Sequence, residues 1–175
     1  MAIQLLKQWS FNRKLKRRSL IKKDIYSESK GKTYKIGILY TSTCLDDDKS
    51  VQALKDKLTD YNYYVRTLAY VDKGTQGHSG YVKSYSRSTI GWDETPNESY
   101  VEEFISTRFD LLICPIPYLE KHHKFIIRLT QADIKAGIKT DMTHDLYDLM
   151  IETRGNLNTA EAIEHLFKQI KILFH

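Results

Sequence analysis

Hydroxyl and carboxyl side chains follow the first two predicted strands of the chain. Thr41, Ser42 and Thr43 come at the end of the first strand, and Asp72 ends the second. Hydroxyls and backbone N–H groups in such a loop can hold a phosphate, and an acid in the second position can bind a ribose. These four residues are therefore a candidate site for a phosphorylated small ligand. Two features count against it, because the loop lacks the usual glycine and the carboxylates of residues 46–48 would repel a phosphate.

Other patterns typical of catalysis or metal binding are missing from the sequence. There is no G-x-G-x-x-G after the first strand, no Walker pattern and no G-x-S-x-G elbow. The aspartates at 46–48 could hold Mg²⁺, but capping of the following helix explains them more simply. His122 and His123 are adjacent, so on a helix they would project about 100° apart and could not chelate one ion. We therefore expect no catalytic residue, no metal and no cofactor.

Charge is distributed unevenly along the chain. The 175 residues carry 27 Lys and Arg against 22 Asp and Glu, a net charge of +5. Residues 1–33 hold ten basic and two acidic side chains, or +8, whereas the remainder holds 17 basic and 20 acidic, or −3. A cationic segment attached to a mildly acidic domain favours a polyanionic partner. A solvated tail that only maintains solubility is the alternative interpretation.

Aromatic side chains accompany the cationic segment and indicate which polyanion it would bind. The predicted nucleic-acid-binding residues are Trp9, Arg13, Lys14, Lys16, Arg17, Arg18, Lys22 and Lys23. Stacking side chains beside dense positive charge suit RNA phosphates together with an exposed base. We therefore expect a non-enzymatic protein associated with RNA or the ribosome, whose folded domain could also join a protein complex.

Two other uses of the same segment remain open. Ile3, Leu6 and Trp9 form a short apolar stripe at helical spacing. A basic amphipathic helix of this kind can lie on an anionic membrane surface, or its stripe can pack on the protein's own domain.

Strand and helix signals alternate through the rest of the chain. Strands are predicted at 34–40, 63–71, 110–114, 134–139 and 146–153, and helices at 46–60, 98–107, 121–131 and from 158 onward. Residues 74–88, rich in Gly and Ser, are predicted to form a long loop, in which Tyr81, Lys83, Tyr85 and Arg87 again mix basic and aromatic side chains.

This alternation predicts an α/β fold. We expect a three-layer sandwich with a mainly parallel five-stranded sheet of flavodoxin or Rossmann type, since parallel strands require crossover helices. Residues 1–33 would form a basic N-terminal helix and linker, and residues 34–175 the flavodoxin-like domain. In such a sheet ligands bind beyond the carboxyl ends of the strands, here at residues 41–48 and 115–118.

Hydropathy and cysteine usage predict the cellular setting. No apolar stretch reaches the roughly 18 to 20 residues of a membrane span. Cys44 and Cys114 belong to no CxxC pattern, which favours a reducing, cytoplasmic location without a disulfide framework. Charge follows the apolar start instead of preceding it, which argues against a secretory signal, although the acid-free stretch up to Lys23 leaves a mitochondrial presequence open.

Six short segments occur in an order and spacing that resembles a known family. They are Lys35–Tyr40, Tyr70–Asp72, Gly91–Trp92, Phe109–Ile113, Ala132–Gly137 and Leu146–Ile151. Together they are similar to an uncharacterised family of small Bacteroidota proteins, a domain of unknown function whose members also carry a basic N-terminal segment. The resemblance implies an α/β fold in a bacterial cytoplasm and weakens the presequence interpretation. It implies no activity.

Overall fold

The structure is a computed structural model that describes residues 33–72, 82–141, 143–152 and 159–173. The predicted basic helix and linker, apart from Thr33, lie outside these ranges. So do all eight predicted nucleic-acid-binding residues, Trp9, Arg13, Lys14, Lys16, Arg17, Arg18, Lys22 and Lys23.

Strands and helices alternate through the described residues. The strands are β1 (Lys35–Ser42), β2 (Tyr64–Val71), β3 (Ser84–Ser86), β4 (Phe109–Cys114), β5 (Ala132–Ile138) and β6 (Leu149–Ile151). The helices are α1 (Leu45–Asp60), α2 (Ser99–Ser106), α3 (Lys121–Leu129) and α4 (Thr159–Leu173). A single 3₁₀ turn, Arg87–Thr89, follows β3 in the described chain.

The six strands form one parallel sheet in the order β3-β2-β1-β4-β5-β6. The chain extends the sheet in one direction from β1 to β3 and then returns to add β4, β5 and β6 on the other side of β1. The predicted α/β class and parallel pairing are therefore confirmed. The prediction of five strands is wrong by one, because β3 lies inside the segment predicted to be a loop.

Apolar side chains form two clusters that share the strands between them. Successive residues of β1 point to opposite faces. Ile38 and Tyr40 belong to the cluster that includes α1 and α4, whereas Leu39 belongs to the cluster that includes α2 and α3. The helices therefore cover both faces of β1, which explains why this strand is an almost continuous apolar run.

The link from α1 to β2 is a compact, fully bonded turn. Tyr63 N–H donates to the carbonyl oxygen of Leu58 and Asn62 N–H to that of Thr59, at 3.1 and 2.8 Å. This pair of hydrogen bonds is a Schellman cap, and Asn62 takes the left-handed φ of 64° that such a cap requires. The turn fixes the direction in which the chain leaves α1 and enters β2.

Candidate functional site

The carboxyl ends of β1 and β4 lie side by side where the winding of the sheet reverses. The loop after β1 leads directly into α1, and the loop after β4 leads into α3. In open parallel sheets this position is where ligands bind. The functional groups of these two loops are therefore the first candidates for a site.

The loop after β1 already holds an anionic group, and that group comes from the protein itself. Asp47 Oδ2 accepts hydrogen bonds from Thr43 N–H at 2.9 Å, Thr43 Oγ1 at 2.6 Å and Cys44 N–H at 3.3 Å. Asp47 is buried, and its charge lies in the first turn of α1, where the helix dipole favours an anion. Three donors that could have bound a phosphate oxygen are thus engaged by a carboxylate.

A second carboxylate in the same turn bonds to the end of β1. The Tyr40 hydroxyl donates a hydrogen bond to Asp48 Oδ1 at 2.8 Å, and both side chains are buried. Burial and the neighbouring Asp48 raise the pKa of Tyr40, so the phenol stays protonated as the donor. This bond ties β1 to the start of α1.

The predicted ligand-binding residues lie along the same edge of the sheet. Thr41 is half-buried and pairs in register with Tyr70 of β2, and Ser42 pairs with Val71. Ser42 is fully buried, and its Oγ has no hydrogen-bond partner among the described residues. Thr43 and Asp72, both exposed, are the residues that directly follow β1 and β2. The sheet therefore brings the ends of these two strands together.

A cluster of four buried rings lies beside this edge, and sequence analysis missed it. Tyr70 of β2, Tyr85 of β3 and His122 and His123 of α3 are all at most 3% exposed. The ring centroid of His122 is 4.4 Å from that of Tyr70 and 4.0 Å from that of His123. The Tyr85 hydroxyl and His122 Nδ1 are 3.0 Å apart. Three separate elements of the carboxyl edge are thus joined through aromatic contacts.

Both histidines in this cluster are neutral. The pKa of His122 is lowered to about 4, mainly by burial and to a smaller extent by the positive charge of Arg87. Burial also lowers the pKa of His123. Glu120 N–H donates to His123 Nδ1 at 3.2 Å, which assigns the His123 proton to Nε2. Neither Nε2 atom has a hydrogen-bond partner in the described part of the chain, although His122 Nε2 lies 3.4 Å from Glu120 Oε2. The rings act as packing side chains that solvent does not reach.

A periodic pattern could have predicted the burial of His122. His122, Phe125, Ile126 and Leu129 repeat at spacings of three and four, which marks one apolar face of α3. Adjacent histidines suggest metal binding first, and the prediction from sequence addressed only that chemistry. Among the described residues no three His, Cys, Asp or Glu side chains are grouped so that they could hold a metal ion.

The two cysteines occupy different environments. Cys44 is exposed at the residue before α1, whereas Cys114 at the end of β4 is buried. Burial raises the pKa of the Cys114 thiol to about 12, so that thiol is a protonated, unreactive core group. In the described helices no segment is long and apolar enough to cross a membrane.

These features define an α/β protein with one parallel six-stranded sheet, in which Asp47 and Asp48 accept hydrogen bonds from the end of β1 and the loop that follows it. The chain belongs to a family of unknown function, DUF6913, whose model matches residues 4–173. The match includes nearly all of the basic segment 1–33 as well as the described domain. No curated protein and no solved structure matches the chain.

Proposed function

We propose that this protein is a non-enzymatic binding protein that associates with RNA, in or near the ribosome, through its basic segment. The observation that carries the proposal is the separation of charge, +8 over residues 1–33 and −3 over the remainder. A cationic segment gains affinity for nucleic acid by releasing the counterions of the phosphates it neutralises. The acidic body would gain nothing from such contacts.

Two features of the carboxyl edge support binding over catalysis. Asp47 accepts the hydrogen bonds of Thr43 N–H, Thr43 Oγ1 and Cys44 N–H in the loop after β1. His122 and His123, the side chains best suited to proton transfer near neutral pH, are buried and neutral. A general base must come within hydrogen-bonding reach of its substrate, and these rings lie beneath the surface.

The test is RNA binding by the full chain and by a chain lacking residues 1–23. With labelled ribosomal RNA fragments, we expect affinity that falls steeply between about 50 and 200 mM salt and is lost on truncation. Circular dichroism of the truncated protein would control for folding. If the truncated protein binds RNA as tightly as the full chain, the proposal is wrong.

An enzyme or sensor that binds a phosphorylated small ligand is the second candidate. Its residues would be Thr41, Ser42, Thr43 and Asp72, and the buried, unpartnered hydroxyl of Ser42 at this edge favours it. Such a ligand would stabilise the folded state by a free energy that grows with the logarithm of its concentration above the dissociation constant. We expect a rise in melting temperature with a nucleotide, a flavin or Mg²⁺ if this candidate holds, and no shift with any of them would count against it.

We also propose the finer fold and the location. The strand order and the apolar clusters on both faces support a three-layer sandwich of flavodoxin or Rossmann type. The unpaired cysteines support a cytoplasmic location. Membership of Bacteroidota rests on the sequence resemblance and stays a prediction, as does a role in a protein complex.

A further inference from the structure

A short hairpin, residues 90–96, leads from the 3₁₀ turn after β3 toward α2. Gly91 N–H donates to the carbonyl oxygen of Thr95 at 2.8 Å, and Glu94 N–H donates to that of Gly91 at 3.0 Å. These two hydrogen bonds close a three-residue loop whose first residue is Trp92. Trp92 is 61% exposed. The Trp92 hairpin therefore presents a large aromatic side chain at its tip.

Side-chain contacts hold the Trp92 hairpin in one conformation. Asp93 is buried, and its Oδ1 accepts from Thr95 N–H at 3.3 Å and from Thr95 Oγ1 at 2.7 Å. Glu94 takes a left-handed φ of 67°, which favours glycine, and its carboxylate pairs with Arg87 at 3.3 Å. Backbone strain of this kind accompanies recognition segments in many proteins. An indole positioned in advance loses little conformational entropy when a partner covers it.

A cavity of about 640 Å³ lies at the other end of α2. Its walls come from the last turns of α2 and α3, the first residues of β5 and the loop before β6. Buried apolar side chains and two half-exposed arginines are among its lining residues: Ile105, Leu129, Leu146, Arg108 and Arg128. A cavity of this size and mixed lining can hold a ring the size of an indole.

The chemistry of this cavity suits an uncharged aromatic ring. Arg108 pairs with Asp133 at 3.3 Å, and Arg128 pairs with Asp145. Because these cations are already balanced by carboxylates, the cavity has little to offer a free anion. A guanidinium can still lie over the face of an indole, and the cation–π attraction is strongest for Trp. The carboxylates can accept the hydrogen bond of the indole N–H.

The Trp92 hairpin and the cavity lie at the two ends of one helix. α2 has eight residues, so it is about 12 Å long. If a second copy of the chain lies alongside with its α2 antiparallel, each Trp92 faces the cavity of the other copy. A two-fold axis makes both contacts at once and closes the assembly. Glu103, exposed midway along α2, is paired with Arg66 at 3.0 Å, which reduces repulsion between the two helices.

We propose that this protein forms a two-fold symmetric dimer in which Trp92 of each copy enters the cavity of the other. The inference goes beyond the proposed RNA association and does not depend on it. Trp is the residue type most enriched among side chains that dominate protein association, and it acts best in a pocket that excludes water. Both conditions are met when the indole leaves solvent and enters the apolar part of the cavity.

Sedimentation equilibrium of the full chain, freed of nucleic acid, tests the proposal at protein concentrations from about 1 to 200 µM. We expect a monomer–dimer equilibrium whose dissociation constant rises at least about thirty-fold in Trp92→Ser, the effect of losing an interface hot spot. Trp92→Phe keeps an aromatic ring and should weaken the dimer less. Tyr118→Ser, which removes a ring that is 80% exposed on the loop after β4, is the matched control and should leave the equilibrium unchanged.

A mixing experiment tests the pairing of indole and cavity directly. Ser106 is exposed and lines the cavity, so Ser106→Phe narrows the cavity without touching the core. Trp92→Ser keeps its cavities and Ser106→Phe keeps its indoles, so each variant alone has no intact contact. A heterodimer of the two has one intact contact, and we expect the mixture to associate more strongly than either variant does alone.

Three outcomes would overturn the proposal. The first is a chain that stays monomeric at every concentration. The second is a dimer that Trp92→Ser leaves intact, or a mixture in which no heterodimer forms, because association would then use another surface. The third is a chain that dimerises only after residues 1–23 are removed, since the cavity would then belong to the chain's own N-terminal segment. Circular dichroism of each variant controls for folding.

Discussion

His122 lies in a fully buried pocket of rings, and its burial makes the stability of the fold depend on pH. Its pKa is about 4 in the folded protein against an ordinary value of 6.5. Between these two pH values the unfolded chain binds a proton that the folded chain does not, so acid favours unfolding. The stability that neutral His122 contributes is therefore fully present above pH 6.5 and is lost as pH falls toward 4.

Chemical denaturation at pH 7 and pH 5 measures this effect. We expect the free energy of unfolding to be lower at pH 5 by on the order of 2 kcal/mol from His122 alone. The double variant His122→Phe with Tyr85→Phe removes both partners of the buried 3.0 Å contact and should show a smaller difference between the two pH values. His144→Gln, at an exposed site, is the matched control. An unchanged pH dependence in the double variant would contradict this account.

Sequence reasoning located the residues of the carboxyl edge but not the contacts among them. It placed Thr41, Ser42, Thr43 and Asp72 at strand ends, and the structure puts them at one edge. It could not foresee that Asp47 folds back onto Thr43, because a carboxylate in a first helical turn can equally point to solvent. Nor could it pair Tyr85 with His122, which are 37 residues apart. Local periodicity carries no information about contacts between distant elements.

At the scale of elements, sequence predicted the limits of β1, β2, β4 and β5 to within two residues. β1 and β4 are nearly continuous apolar runs, and their predicted limits differ from the observed ones by at most two residues. β3 has only three residues, two of them serines, so it shows no recognisable period. It is a strand because it pairs with the end of β2 and buries Tyr85. β3 is therefore a strand because of its pairing with β2, and pairing between separate segments cannot be seen in the sequence.

Gly137 in β5 shows how closely one element can approach another. A Cβ atom at this position would lie 2.3 Å from the Tyr147 ring, far inside van der Waals contact. Tyr147 is buried, so its ring has little room to move away. We expect Gly137→Ala to destabilise the fold by roughly 1 to 3 kcal/mol or more, as overpacking does in other cores.

A double-mutant cycle that combines Gly137→Ala with Tyr147→Ala tests that explanation by urea denaturation. Removing the ring opens the space that a methyl group at position 137 would need, so the double variant should lose less stability than the two single variants combined. Additive losses would mean that the ring is not what excludes a side chain from this position. In that event the glycine would matter for another reason, such as backbone flexibility within β5.

At the scale of the whole molecule, the parallel sheet separates two surfaces of different character. Every strand pair is parallel, so all carboxyl ends face one way and all amino ends the other. The carboxyl edge bonds its own polar groups, as Asp47 and Asp48 do. At the amino edge the rings of Tyr34, Tyr61 and Tyr63 are in contact, and Tyr34 follows the basic segment in the sequence.

β1 runs the whole distance between these surfaces. Its eight residues span about 26 Å at the rise of an extended strand. In the chain, the basic segment directly precedes the amino end of β1, whereas Thr41, Ser42 and Thr43 lie at its carboxyl end. The two candidate contacts, with RNA and with a small ligand, are therefore separated along the sequence by the length of this strand.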